Sequence, residues 1–254
     1  MYPILFKIGP LSIHSYGVMV AIAFLVGIFV SIYYAKKAGI KEQVIPDLAI
    51  YVIIVAIAGA RFFYVAGQWH QYKNNLIEIF MVQKGGLVFL GGFLLALITV
   101  VFYAKRKGIP LLKLFDILAP GAALGYAIGR IGCFLNGCCF GVPTDLPYGI
   151  KFPPGALAYS YFPDKYLHPT QLLSSGSMLL AFMILALLYA HKKFDGYIFF
   201  WGIIFYSVYR FLVEFLRYSP MHWLGLTPSQ WIVLPLLIFG VFALAFNRIA
   251  KESS

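Results

Sequence analysis

Residues 15–35 read SYGVMVAIAFLVGIFVSIYYA, an uncharged stretch closed by Lys36 and Lys37. A helix of about 20 apolar residues crosses the hydrocarbon core of a bilayer, so this stretch is long enough to span one. No small-residue cleavage site follows it and further apolar runs do, so it is expected to be a retained helix and not a signal peptide. Six more runs lie near residues 47–66, 86–104, 116–134, 170–190, 196–216 and 229–248. The chain is 61 % hydrophobic and only 11 % charged, which is far from the make-up of a soluble domain. The predicted fold class is therefore all-α: a polytopic integral membrane protein with about seven transmembrane helices. The spans fill most of residues 1–254, which predicts a single membrane domain with a small external segment at about 135–169.

A formal net charge of +11 raises the question of nucleic acid, and the placement of the charges answers it. Lys36, Lys37 and Lys41 follow the first run, and Lys105, Arg106, Lys107 and Lys113 follow the third. Lys192 and Lys193 follow the fifth, and Arg248 and Lys251 follow the seventh. Eleven of the 20 basic residues thus fall on one side, in short loops. Lys7, Lys73, Lys84, Lys151, Lys165 and Arg217 are spread over longer segments on the other side. Positive loops stay inside, so the amino terminus is expected outside and the carboxy terminus in the cytoplasm. The basic excess is topological, and no nucleic-acid partner is expected.

Two external segments are long, at 67–85 and 135–169, so a soluble part of any substrate is expected to be met outside. Gly121, Gly125 and Gly129 recur every four residues in the fourth run, and Gly85-Gly86 and Gly91-Gly92 open the third. Small residues at such spacing let helices approach closely, which gives all of them a packing reading.

Arg61, Arg130 and Arg210 fall within runs two, four and six. Those three runs go from inside to outside, and each arginine lies late in its run, so all three are expected at a similar depth towards the outer leaflet. Glu214 follows Arg210 by one turn on the same helix face and is the only acid in the outer half of any run. An arginine at the centre of a transmembrane helix costs roughly 2.5–3.5 kcal/mol on insertion scales, less near the interface. Snorkelling or pairing within the bundle accounts for one of the three, Arg61 first among them. One glutamate neutralises one charge, and a surplus of about two invites an anionic ligand. Guanidinium binds phosphate oxygens bidentately and stays charged, and phosphate in an outer leaflet belongs to lipid headgroups. Ionisable residues are read as absent from the cytoplasmic half of the spans, which leaves a transporter no polar path.

All three cysteines, Cys133, Cys138 and Cys139, fall in the segment Gly129–Gly141, GRIGCFLNGCCFG. Small packing residues, a disulfide in an oxidising compartment and a thiol activated by Arg130 all remain open there. The spacing matches no standard zinc pattern, so no metal is expected. His168 opens His168-Pro169-Thr170-Gln171 before the fifth run. A helix start with Thr170 near the cap and a proton-handling histidine are both open. No Ser-His-Asp order, Walker loop or HExxH pattern is present.

The segment Gly129–Gly141 resembles the signature of the prolipoprotein diacylglyceryl transferase family, close to G-R-I-G-N-F-x-N-G-E-x-x-G. The likeness continues, in order, through Gly9–Gly17, Gly59-Ala60-Arg61, Gly86–Phe89 with Gly91-Gly92, His168–Leu172 and Tyr209–Arg217. The resemblance implies seven helices in a bacterial inner (plasma) membrane and a site opening to the outer leaflet. It also implies the reaction. The diacylglyceryl group of phosphatidylglycerol passes to the lipobox cysteine thiol in a preprolipoprotein signal peptide, glycerol phosphate leaves, and no cofactor is used.

Under this resemblance Arg130, Arg210 and Glu214 are the catalytic residues. Tyr16, Arg61, Gly91, Gly92, Asn136, Gly137, Gly141 and His168 contact substrate. The chain departs from the pattern at Cys133 and Cys138, which replace asparagine and glutamate, and at Leu90, which replaces a histidine and leaves the general base unassigned. After His168-Pro169-Thr170-Gln171-Leu172, the usual tyrosine and glutamate are Leu173 and Ser174. The alternative function is a non-catalytic or redox-active membrane paralogue that binds anionic lipid.

Overall fold

Seven helices long and apolar enough to cross a membrane organise the computed structural model, which describes residues 3–9, 11–73, 75–81 and 85–252. Side chains at 7, 8, 11 and 248–252 are outside the description, and so is Lys84 altogether. Of the basic residues that set the expected topology, Lys7, Lys84, Arg248 and Lys251 therefore carry no side-chain account. In chain order, β1 (Ile4–Ile8) pairs antiparallel with β2 (Leu11–His14), followed by α1 (Ser15–Lys37) and α2 (Val44–Gly67). A short α3 (Trp69–Tyr72) and a 3-10 turn (Leu76–Phe80) lead to α4 (Phe89–Arg106) and α5 (Leu111–Asn136). Strand β3 (Ile150–Lys151), α6 (Leu157–Tyr161) and β4 (Tyr166–Leu167) occupy the second long connection. The last three helices are α7 (Thr170–Tyr189), α8 (Tyr197–Glu214) and α9 (Pro228–Glu252). The hairpin β1–β2 and the pair β3–β4 are small strands that the apolar runs did not announce.

Two helix starts differ from the expected ones. Gly85 and Gly86 precede α4 instead of opening it, because both are left-handed (φ +83° and +78°) and the backbone cannot be helical there. α5 begins five residues before the apolar run does. Its first two turns carry Lys113 and Asp116, and charged turns extend a helix without extending its apolar run.

The chain forms two compact units, Met1–Ser31 with Phe115–Ser254, and Ile32–Leu114. In the first unit, α1 and α5 run antiparallel and very close. A Cβ on Gly121 would lie 2.5 Å from the Gly27 carbonyl oxygen, one on Gly125 3.0 Å from the Ala23 oxygen, and one on Gly132 2.8 Å from Met19. Gly129 has nothing within 4 Å, so the expected 121–125–129 stripe is really 121–125–132. At 100° per residue, position 129 has turned about 80° from position 121 while 132 has turned only about 20°.

Helix α7 lies antiparallel to α5, with Ser175 Oγ donating to the Ala127 carbonyl at 2.8 Å. Helix α8 is parallel to α5, because Gly202 faces Ala119 and Tyr209 meets Tyr126 seven residues further along each. Helix α9 returns antiparallel to α8, with Gln230 bonded to the Phe211 carbonyl and Gly240 against Ile204. A core of small and aliphatic residues, Ala123, Ala127, Ala181, Leu185 and Ile198 among them, fills the interior.

Asp116 corrects one expectation. It is an ionisable residue at the far end of α5 from Arg130, and it is completely buried. It accepts hydrogen bonds from the Gly196 and Phe199 amides at 2.7 and 2.8 Å and pairs with Lys192 at 3.0 Å. Those amides are orphan donors at the start of α8, so the carboxylate caps α8 from a neighbouring helix. Every partner it has is structural, and it opens no polar path.

In the second unit, α2 and α4 pack through glycine. A Cβ on Gly59 would fall 2.9 Å from the Gly91 carbonyl oxygen, and one on Gly92 2.8 Å from that of Ala56. The Val88 amide also donates to the Ala60 carbonyl at 3.0 Å.

Candidate functional site

The directions of α1, α5, α7, α8 and α9 bring the end of α5, the end of α8 and the starts of the other three to one end of the first unit. Arg130 and Arg210 therefore share a level within that unit, as their positions late in two parallel runs required. Arg130 is half-buried. Its guanidinium donates to the Tyr126 hydroxyl one turn earlier and lies over the Tyr126 ring, 4.6 Å from the centroid. Tyr126 and Tyr209 share a 2.6 Å hydroxyl–hydroxyl bond. Among the described residues no carboxylate pairs with Arg130.

Arg210 is buried and spends its charge differently. It pairs with Glu214 at 2.9 Å and donates to Ser229 Oγ of α9 at 2.8 Å. The other Glu214 oxygen faces Arg217 at 3.6 Å. Arg217 follows α8, and its amide still bonds to the Glu214 carbonyl, so the helical turn continues far enough for the i, i+3 pair to form. Three guanidiniums and one carboxylate leave a formal surplus of two positive charges. The size of the surplus matches the sequence argument, but Arg217 stands where Arg61 was counted.

The turn after α5 is built by its glycine. Gly137 is left-handed (φ +70°), its amide bonds to the Phe134 carbonyl, and the Cys138 amide bonds to the Cys133 carbonyl. That pair of bonds is the Schellman motif, in which the residue after the glycine returns to the last full turn of the helix. A Cβ on Gly137 would also meet Ala156 at 2.7 Å. Cys139 is left-handed as well (φ +59°), a conformation that costs a non-glycine residue roughly 1–2 kcal/mol. Two side chains from the start of α7 hold it. Gln171 Nε2 donates to the Cys138 carbonyl and Thr170 Oγ1 to the Cys139 carbonyl, each at 2.8 Å. Thr170 is thus a clamp on this turn and makes no cap of its own helix.

Beyond the turn, three chain segments cross at Gly141. Its amide bonds to the His168 carbonyl, and Val142 bonds to the Leu216 carbonyl. A Cβ here would lie 2.6 Å from both of those carbonyl oxygens. His168 is buried, with Nδ1 3.1 Å from the Tyr148 hydroxyl. Asn136 is the last residue of α5, and Tyr16, half exposed at the start of α1, lies within electrostatic range of Arg130 and the cysteines. The three thiols are free. Cys139 is held below the ordinary thiol range by hydrogen bonds from Cys133 and Cys138, with Arg217 and Arg130 adding to the effect.

Arg61, Gly91 and Gly92 belong to the second unit. Arg61 is buried and its donors go to main-chain carbonyls: Nε to Ile79 at 2.7 Å, one terminal nitrogen to Gly85 and Gly86 at 2.7 and 3.1 Å, the other to Glu78 at 2.6 Å. The Tyr72 and Tyr64 rings flank it at 5.2 and 5.8 Å. Its contacts are those of a clamp on residues 78–79 and 85–86, the pairing within the bundle expected of Arg61 first. Gly91 and Gly92 are helix-crossing positions. Sequence reasoning missed Tyr126, Tyr209, Ser229 and Arg217. Tyr209 and Arg217 bound the last segment of the family likeness, and Arg217 also stands three residues from Glu214, whereas Tyr126 and Ser229 left no signal.

Seven apolar helices, with a cationic cluster at one end of the unit built from α1, α5, α7, α8 and α9, define a multi-pass membrane protein that carries a charged site among apolar helices. A family profile described as prolipoprotein diacylglyceryl transferase matches residues 3–246. The phosphatidylglycerol–prolipoprotein diacylglyceryl transferase of Clostridium tetani is 37 % identical over 255 residues, covering 99 % of this chain and 100 % of the relative. The enzyme of the same name from Synechococcus elongatus is 36 % identical over 257 residues, covering 99 % and 89 %. That from Finegoldia magna is 35 % identical over 237 residues, covering 93 % and 92 %. The chain belongs to the prolipoprotein diacylglyceryl transferase family. It is accordingly a membrane-embedded transferase, and the non-catalytic reading loses its ground.

Proposed function

We propose that this protein transfers the diacylglyceryl group of phosphatidylglycerol to the lipobox cysteine of a preprolipoprotein signal peptide. The observation that carries this reading is Arg130, a half-buried guanidinium with no acidic partner among the described residues, beside an Arg210–Glu214–Arg217 group that is itself net positive. In the transfer, the cysteine sulfur bonds to the glyceryl carbon and the bond from that carbon to the phosphate oxygen breaks. The electron pair leaves with the oxygen, so a phosphodiester with one negative charge becomes a phosphomonoester able to carry two.

Positive charge fixed in a dry site stabilises that developing charge without having to reorganise. Arg130 and Arg210 take this role, and Glu214 orients Arg210. The thiol has an ordinary pKa of about 8.5 and needs less help than an alcohol. With Leu90 where a histidine is usual, its proton is left to the departing phosphate or to water. Tyr16, Asn136, Gly137, Gly141 and His168 shape the lipid site. Arg61, Gly91 and Gly92 act at one remove, through the loop and helix pair they hold.

Membership of the family supports a bacterial inner membrane location, and the basic loops support an amino terminus outside, a carboxy terminus in the cytoplasm and a site towards the outer leaflet. Transfer of labelled diacylglyceryl to a lipobox peptide by the purified protein tests the reaction. Parent-like binding of phosphatidylglycerol by Arg130→Gln and Arg210→Gln would remove its basis.

A further inference from the structure

We propose that Cys133, Cys138 and Cys139 form a binding site for one soft, thiophilic d10 metal ion held by three thiolates. Their sulfur atoms all lie within 4.8 Å of one another. Metal–sulfur bonds of about 2.3 Å place three sulfurs roughly 3.8–4.0 Å apart around one ion. The three sulfurs therefore need to close by at most about an ångström to become a ligand set.

The backbone explains why they meet. The Schellman turn returns residue 138 to the level of residue 133, so the contact that two apolar side chains often make in this motif is made here by two cysteines. The left-handed Cys139 then turns the third sulfur back onto the pair, and Thr170 and Gln171 fix that geometry through the carbonyls of residues 138 and 139. The sequence spacing, four residues and then none, hides the arrangement because it fits no linear zinc pattern. Its third ligand depends on a left-handed residue.

The surroundings suit the charge. Three thiolates and a monovalent or divalent ion carry a net charge of −2 or −1, and Arg130 and Arg217 lie within electrostatic range of Cys139. Sulfur ligands select soft ions such as Cu(I) and Zn(II) over hard oxygen-seeking ones. Cys138 and Cys139 are half-buried, which gives an ion access from the turn side. Binding converts three thiols to thiolates, so protons pass to solvent. No electron is transferred. An ion here would tie the end of α5, where Asn136 lies, to the turn that leads on to Gly141, without depending on the transfer reaction.

The test uses the full-length protein, purified in detergent under reducing conditions and freed of metal. Cd(II) serves as the spectroscopic probe, with Zn(II) and Cu(I) as competing arms and Mg(II) as the hard-ion control. One equivalent of Cd(II) should give a thiolate charge-transfer band and release protons, and Zn(II) or Cu(I) but not Mg(II) should displace it. Cys138→Ser should weaken binding at least about tenfold. Alkylation of the parent read by mass spectrometry needs no variant, and a saturating ion should protect all three cysteines together. Alkylation that the ion leaves unchanged, protection of fewer than three thiols, or a Cd(II) affinity that Cys138→Ser leaves unchanged would each overturn the proposal. So would a disulfide within the cluster in protein isolated without reductant.

Discussion

The hydroxyls of Tyr126 and Tyr209 stand 2.6 Å apart and join α5 to α8 one turn before Arg130 and one residue before Arg210. Arg130 donates to the same Tyr126 hydroxyl, so the free guanidinium is positioned by a phenol that the second helix holds. Tyr126→Phe should cost about 1 kcal/mol of stability and should lower kcat for transfer more than it raises KM, since phenylalanine keeps the ring under the guanidinium but not the hydroxyl. Thermal unfolding and steady-state kinetics check both. An unchanged kcat in a folded variant would mean that Arg130 does not depend on this bond.

Removing either arginine should weaken anionic-lipid binding and turnover together. A charge-assisted hydrogen bond contributes about 1.5–3 kcal/mol, or roughly one to two decades in affinity. Arg130→Gln and Arg210→Gln are each expected to lose that much for phosphatidylglycerol, measured beside Lys151→Gln, whose side chain is paired with Asp164 in the connection between α5 and α7. Arg210→Gln should also lower the melting temperature, because it leaves a buried Glu214 with only the longer Arg217 contact. Arg130→Gln, which strands no acid, should lower it less.

Arg61→Lys separates a loop clamp from a substrate contact. Lysine keeps the charge but cannot reach several carbonyls in the planar fan that a guanidinium offers. The melting temperature should fall, and limited proteolysis should cut residues 73–88 faster. Phosphatidylglycerol binding per folded molecule should drop less than in Arg130→Gln. A loss of lipid binding equal to that of Arg130→Gln, with proteolysis unchanged, would return Arg61 to the ligand.

Orientation is tested by reporter fusions. Those after Lys107 and Lys193 should read cytoplasmic, and those near Asp145 external. The reverse pattern would move the Arg130–Arg210 end to the inner leaflet and overturn the positive-inside argument for this chain.

The seven spans were legible in the sequence because a bilayer demands long apolar runs, and their boundaries blurred where that demand stops. Leu111–Phe115 joins α5 through hydrogen bonding despite Lys113, and Gly85-Gly86 leaves α4 through a left-handed backbone despite its apolar neighbours. The shared level of Arg130 and Arg210 was legible too, because two runs in the same direction fix two positions along one axis. Pairing within the bundle was expected of Arg61 first, but its partners were hidden for a physical reason: they are main-chain carbonyls, which every residue carries and no residue type announces. The Tyr126–Tyr209 bond was hidden because it depends on the rotation of two helices about their axes, and both tyrosines read equally well as apolar filling. The cysteine cluster lay between these cases. Asn136-Gly137 marks the end of a helix, and the Schellman geometry then follows for Cys133 and Cys138, but nothing local predicts the left-handed Cys139.

Purified protein would be incubated with phosphatidylglycerol labelled in its diacylglyceryl group and with a lipobox peptide containing one cysteine. Label should appear on that cysteine, with one glycerol phosphate released per peptide modified and a rate at least about tenfold lower for Arg130→Gln at matched folded protein. A folded parent protein that binds phosphatidylglycerol yet leaves the peptide unlabelled and releases no glycerol phosphate would contradict the proposed transfer.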